Sequence, residues 1–371
     1  MKSDTTDKKF FVAGGGTGGH IYPAISVING LLKNGVNKKN IFYIGNKKNL
    51  EYKIALDMGL NFLSTPIFGM PRKISLKFII FLFCLFISIL KSFLYFLKYK
   101  PNVVFATGGY VCAPVLFAAC LFKIPYVLHD SDCYPGMVTR IFSKNAFAVN
   151  LAFVEANKYI KSGNIRNFNN PVRNEFFKTS KEDARRELNI DKNDFLILIM
   201  GGSQGAKSIN EAAIELIEKY KNKEGIKIIL QTGRKNYDEV VKNFIVPHNV
   251  KIEPYFDNMA IPILAADLIV SRAGSISISE ILSAKNVSVL IPYPYAAANH
   301  QRINARAVSD KNAAVYLEDN DLKKGVLIEA VTGLLADNKK YEELKENARI
   351  LGAKFSEAND KILNLITSAI K

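Results

Sequence analysis

Phe10-Phe11-Val12-Ala13-Gly14-Gly15-Gly16-Thr17-Gly18-Gly19-His20 decides the fold. Four apolar residues run into a glycine cluster, and the pattern from Ile21 to Leu32 is helical. The reading is strand, tight turn, helix. Glycines let a backbone come close to a ligand, and the helix behind them offers unpaired N–H groups and a partial positive charge. The same order returns in the second half: Phe195 to Met200, then Gly201-Gly202-Ser203-Gln204-Gly205-Ala206, then a helical pattern from Ser208 to Tyr220. One such turn is weak evidence, because many doubly wound domains carry one. Two at equivalent places predict an α/β chain of two Rossmann-like, doubly wound parallel-sheet domains facing a cleft.

Between these landmarks strands and helices alternate. The first half offers strands at Ile41–Ile44, Val103–Ala106 and Tyr126–Leu128, the second at Lys227–Gln231, Val250–Ile252, Leu268–Val270 and Ser288–Ile291. Ser162 to Arg173, rich in Asn and Gly and holding Pro171, reads as a linker. The expected domains are 1–169, joined by a C-terminal helix over 352–371, and 170–351. A chain of 371 residues is long enough for two cores.

The formal net charge of +16 favours acidic partners, either phosphate-bearing substrates or an anionic membrane surface. Nucleic acid is not expected, since the aromatics do not interleave with Lys and Arg. Cys84, Cys112, Cys120 and Cys133 have no CxxC spacing and read as reduced thiols of a cytosolic protein, neither a disulfide frame nor a zinc site. Met1 to Lys9 is polar and does not read as a signal peptide.

Ile74 to Leu97 is strongly apolar. Its core run, Phe78 to Leu90, falls short of the roughly 20 residues that a span needs. At helical phase Lys73, Lys77, Cys84, Ser88, Lys91, Tyr95 and Lys98 share one stripe. That stripe predicts an amphipathic helix in a membrane interface with lysines at headgroup level. A buried helix with a polar edge and a true span are the alternatives.

Several motifs carry chemistry, each with a plainer alternative. Gly108-Gly109-Tyr110 ends a strand and would complete a phosphate cradle, or would be an ordinary turn. Dinucleotide binding is disfavoured, since the second strand ends Ile44-Gly45-Asn46 without the acid that a ribose needs. Gly201 to Ser208 misses a P-loop by Ala206. Asp130-Ser131-Asp132 has the spacing of a metal-binding D-x-D. His20 would take a proton from a sugar hydroxyl, or fix its loop. His129 reads as structural. Glu280, near the start of a helix after Ser271-Arg272-Ala273-Gly274, would accept both hydroxyls of a ribose, or would answer the helix dipole. His300, Gln301 and Asn304 suit sugar hydroxyls or N-capping.

In content and order, GGGTGGHIYPA (14–24), ATGGYVCAP (106–114), NPVR (170–173), GGSQGA (201–206), PYFDNMA (254–260), SRAGSISISE (271–280) and NHQRINA (299–305) resemble the MurG family. Members transfer N-acetylglucosamine to lipid I, giving lipid II of peptidoglycan synthesis. The resemblance implies the two-domain glycosyltransferase B fold, a peripheral position on the cytoplasmic membrane face, inversion at the anomeric carbon, and no metal or other cofactor. The partners implied are UDP-GlcNAc and a polyprenyl-diphosphate lipid acceptor.

On its own chemistry His20 is the first candidate base, with Asp130 in reserve; by residue, the resemblance places His20 beside the acceptor diphosphate. Gly15, Gly16, Gly108, Gly109 and Tyr110 would take the acceptor diphosphate. Thr17, Gly18, Gly19, Asp132, Arg173, Ser203, Phe256, Ser275, Ile276, Ser277, Glu280, His300, Gln301 and Asn304 would hold the donor. Arg173 and Ser203 would meet its diphosphate, Phe256 its uracil and Glu280 its ribose. Two departures bear on the donor sugar: the family commonly reads His-Glu-Gln-Asn where this chain has His129-Asp130-Ser131-Asp132, and Gln is frequent at His300. A transferase for another lipid, such as diacylglycerol, and a silent UDP-sugar-binding membrane subunit are the rival functions.

Overall fold

The computed structural model describes residues 6–370 apart from Arg72, Ser162, Ser203 and Asn243. They divide into two units, one running to Pro171 and resuming at Glu357, the other spanning Val172–Ser356.

The first unit contains β1 (Phe10–Ala13), α1 (Gly18–Lys33), β2 (Ile41–Gly45), α2 (Leu50–Asp57), β3 (Asn61–Ser64), α3 (Leu76–Tyr99), β4 (Val103–Ala106), α4 (Cys112–Leu121), β5 (Tyr126–Asp130), α5 (Met137–Phe142), β6 (Ala148–Leu151) and β7 (Ile165–Arg166). The second contains α6 (Glu175–Lys178), α7 (Lys181–Leu188), β8 (Phe195–Met200), α8 (Lys207–Tyr220), β9 (Ile226–Gln231), α9 (Tyr237–Lys242), β10 (Val250–Glu253), α10 (Ala260–Ala265), β11 (Leu268–Arg272), α11 (Ser275–Ser283), β12 (Val287–Ile291), α12 (His300–Ser309), β13 (Val315–Tyr316), α13 (Val326–Ala336) and α14 (Asn338–Gly352). From Glu357 on, α15 (Phe355–Ser368) belongs to the first unit.

Each unit is one parallel sheet, ordered β3-β2-β1-β4-β5-β6-β7 in the first and β10-β9-β8-β11-β12-β13 in the second. Strand order reverses beside β1 and beside β8. Open parallel sheets bind ligands at the carboxyl ends of strands flanking such a reversal. Ala13 pairs with both Ile44 and Ala106, so three strands of the first sheet end level where the glycine turns begin. In the second sheet Met200 is level with Gln231 and Ser271.

The strands are apolar on both faces because helices cover both. Phe11 and Ala13 enter one core with Leu116 of α4 and Phe96 of α3. Phe10 and Val12 enter the other with Val27 of α1 and Ile362 and Leu363 of α15. A side chain at Gly30 would collide with Leu363, so glycine lets α1 and α15 touch.

Three readings need correction. The linker is shorter than expected, since Ile165–Arg166 pairs with β6 as an edge strand; Ser162 lies outside the described residues. His129 and Asp130 lie within β5, not after it. On α3, the stripe expected to face headgroups turns partly inward: Ser88 is buried and donates to Cys84 O (2.7 Å), and the Tyr95 hydroxyl donates to Ser64 O (2.8 Å). The exposed face is apolar instead, with Phe83, Phe86 and Leu94 about 60% accessible. Phe81 lies on the inner face, edge-on to Phe68 and Tyr110. By length and composition alone α3 could cross a membrane.

Candidate active site

Two constellations form, one at the carboxyl edge of each sheet. In the first unit Thr17, in extended conformation, precedes α1, and Gly18, Gly19 and His20 are its first three residues. Pro23 lies inside this helix and has no N–H for the carbonyl of Gly19, four residues back. Ser131 Oγ donates to that carbonyl instead, at 2.9 Å. The proline of the motif thus leaves an acceptor that the β5 loop fills.

The two glycine turns interlock. Thr107 Oγ1 donates to His20 O at 2.6 Å. Gly109 adopts φ +81°, and a Cβ there would strike Gly15 O. His20 Nδ1 lies 3.2 Å from Gly15 O and 3.3 Å from Thr17 Oγ1. A carbonyl only accepts, so Nδ1 carries a proton, and in the neutral ring the lone pair is on Nε2. That is the tautomer a base needs.

Asp130 is buried and spoken for. Its carboxylate accepts from Gly136 N (2.9 Å) and Asp132 N (3.3 Å), and Thr139 adds a side-chain bond. Burial, with Asp132 next, pushes this carboxyl up to about 6. Beside it, His129 is fully buried between Asn170 Oδ1 (3.0 Å) and Asn150 Nδ2 (2.8 Å), and burial drives its pKa down to about 4. His129 is therefore a neutral structural group. No cluster of three or more metal-binding side chains forms among the described residues.

In the second unit Arg173 meets Glu280, both of them expected at the donor. Nε and Nη2 of Arg173 donate to Glu280 Oε1 at 3.1 and 2.8 Å. Burial raises the Glu280 carboxyl above its usual range, and Arg173 opposes the shift. Ser275, Ile276 and Ser277 form the first turn of α11, and Phe256 is half-buried after β10. His300 Nδ1 bonds to Ala297 O (2.7 Å) and Gln301 Oε1 accepts from Tyr293 N (2.9 Å). Asn304 is fully buried and donates to Ala273 O (3.3 Å), so it ties the α12 loop to the α11 loop. Asn299 is the N-cap residue of α12, with no side-chain cap bond. Ser203 lies outside the described residues. The P-loop alternative fails, since Ser208 Oγ is held by Asp319 (2.7 Å) and Arg272 (3.0 Å).

Two groups were missed. Thr232-Gly233, after β9, packs on the Gly202–Gly205 turn: Gly233 adopts φ +83°, and a Cβ there would strike the Gly205 backbone. Its signal, a glycine directly after a strand, was available. Glu51, at the start of α2, is fully buried under the first glycine turn. An acid in the first turn of a helix is usually a dipole residue, which hides it.

Twin parallel sheets with glycine turns at their switch points, and a part-buried Arg–Glu pair at one of them, have the architecture of the glycosyltransferase B fold. Residues 10–150 match the glycosyltransferase family 28 N-terminal domain and residues 196–362 its C-terminal domain. The chain is 36% identical to the UDP-N-acetylglucosamine–N-acetylmuramyl-(pentapeptide) pyrophosphoryl-undecaprenol N-acetylglucosamine transferase of Acetivibrio thermocellus, covering 98% of each chain. It is equally similar to the enzyme of that name from Halothermothrix orenii, over 98% of this chain and 99% of the other. The Acinetobacter baumannii MurG crystal structure superposes with TM-score 0.77 at 24% identity, over 97% of this chain and 99% of that one. The chain belongs to the MurG family.

Proposed function

We propose that the two constellations serve one reaction, the inverting transfer of N-acetylglucosamine from UDP-GlcNAc to the muramyl 4-hydroxyl of undecaprenyl-diphosphate-linked MurNAc-pentapeptide. The product is lipid II, which places the enzyme in peptidoglycan synthesis. The observation that carries the site reading is the Arg173–Glu280 pair, since a nucleotide offers a diphosphate to one and ribose hydroxyls to the other. Phe256 covers the uracil beside the Ser275–Ser277 turn, and Ser203 meets the diphosphate. His300 and Gln301 line the sugar side, with Asn304 holding their loop. Thr17, Gly18, Gly19 and Asp132 complete the sugar's surroundings. Gly15, Gly16, Gly108, Gly109 and Tyr110 shape the acceptor diphosphate site.

The mechanism is a single displacement. His20 Nε2 takes the proton of the muramyl hydroxyl as that oxygen attacks the anomeric carbon. The bond to the diphosphate breaks and UDP leaves. Arg173 and helix-terminal amides stabilise the charge that grows on the leaving group, the role a metal plays elsewhere. Asp130 is the weaker candidate base, because three donors already occupy its carboxylate.

The exposed apolar face of α3 supports peripheral binding to the cytoplasmic leaflet, with Lys73, Lys77 and Lys98 exposed near its ends. UDP release measured with lipid I and with diacylglycerol tests the acceptor. Release with lipid I alone is expected. Release with diacylglycerol alone transfers the reading to another lipid, and none with either to a silent subunit. His20→Ala should lower kcat by about 10²; a change confined to donor KM removes His20 from proton transfer.

A further inference from the structure

Glu51 has no part in the reaction described so far, yet its burial is complete. Among the described residues no lysine, arginine or histidine forms a salt bridge with it. Its carboxylate is held by neutral donors alone. Oε1 accepts from Asn46 N (3.1 Å) and Asn49 Nδ2 (3.2 Å), and Oε2 from Gly16 N (3.4 Å). A side chain at Gly15 would run into this carboxylate.

The Gly16 N–H and the Gly15 carbonyl belong to one peptide group. On its other side that group accepts from His20 Nδ1 at 3.2 Å. The order is carboxylate, peptide, imidazole. Hydrogen bonds in series polarise one another, so an acceptor on the N–H makes the carbonyl a better acceptor for Nδ1–H. We propose that Glu51 is a positioning residue for His20, acting through the Gly15–Gly16 peptide to hold Nδ1–H inward and present the Nε2 lone pair to the sugar hydroxyl. The Gly16 amide then points at Glu51, so in the acceptor diphosphate site it shapes the turn and does not bind phosphate. This rests on His20 as the base.

Glu51→Gln tests it. Among the described residues three donors hold the carboxylate. A glutamine places its oxygen at the position with two donors, Asn46 N and Asn49 Nδ2, and turns its NH₂ toward the Gly16 N–H. The turn keeps its support from β2 but loses the bond to the relay peptide. The readouts are lipid I turnover, UDP affinity, the melting temperature and the ¹⁵N shifts of His20, one of only 4 histidines. The expected result is a kcat loss of about tenfold, the rate equivalent of one hydrogen bond's contribution, with UDP affinity unchanged. The neutral His20 ring should lose its Nδ1–H preference. A folded variant with kcat within twofold of wild type and an unaltered tautomer overturns the proposal. If the variant does not fold, the unsubstituted protein still decides against it: a neutral His20 found in the Nε2–H form overturns the relay. Full turnover by His20→Ala would remove the base reading, while a tautomer change in Glu51→Gln would still report the coupling.

Discussion

At the scale of single residues, burial moves two neighbours on β5 in opposite directions. His129 titrates near 4, below the ordinary histidine value, so folding favours its neutral form. Its share of stability is complete above pH 6.5 and is lost as the pH falls toward 4. Asp130 titrates near 6, above the ordinary carboxylate value, so its share is complete only at low pH and is lost as the pH rises through 6. His129→Gln should therefore lower the melting temperature at pH 7 by more than at pH 4.5. The gap should close by roughly 2.5 kcal/mol, the worth of about two pH units. Calorimetry at both pH values checks this, and a constant gap contradicts it. Glu280→Gln should weaken UDP binding at least tenfold, since hydrogen bonds to a charged group contribute about 1.5–3 kcal/mol. Isothermal titration reads it directly, and unchanged affinity would reduce Glu280 to a helix residue. Arg173 and Glu280 were legible because each sits in a motif of fixed order. Glu51 was not, because its meaning comes from a contact with Gly16 across 35 positions of sequence.

At the scale of elements, α3 shows where periodicity misleads. The stripe holding Ser88 and Tyr95 was read as the wet side, because polar residues usually face water. Here they turn to the protein: Ser88 is buried and bonds back to its own helix, Tyr95 reaches the backbone of Ser64, and large apolar residues point out. Replacing Phe83, Phe86 and Leu94 together by Ser should release the protein from anionic vesicles and leave its circular dichroism unchanged. Phe81→Ser, on the inner face, should instead lower the melting temperature. Raised salt should weaken vesicle binding without abolishing it, because the apolar part is not screened. A folded triple variant that sediments with vesicles as well as wild type contradicts the assignment.

At the scale of the whole molecule, strand–helix alternation made most of both sheets legible, and β1, β4 and β8 fall on the residues expected, whereas the inner strand β6, broken by Asn150, was not read. The edges were less legible. β3 and β7 are short and partly exposed, and lack the continuous apolar run that marks a central strand. The alternation does not say which chemistry the switch points serve. On the proposed reading that comes from the turns and their neighbours: the glycine turns and Arg173 meet the departing diphosphate, and Glu280 meets the ribose. The central claim is that protein groups alone neutralise the departing diphosphate. It is tested most directly by transfer from UDP-GlcNAc to a lipid I analogue in excess EDTA. The account predicts turnover equal to that without chelator. Loss of turnover in EDTA, restored by Mn²⁺, would contradict it and turn attention to Asp130 and Asp132 as metal ligands.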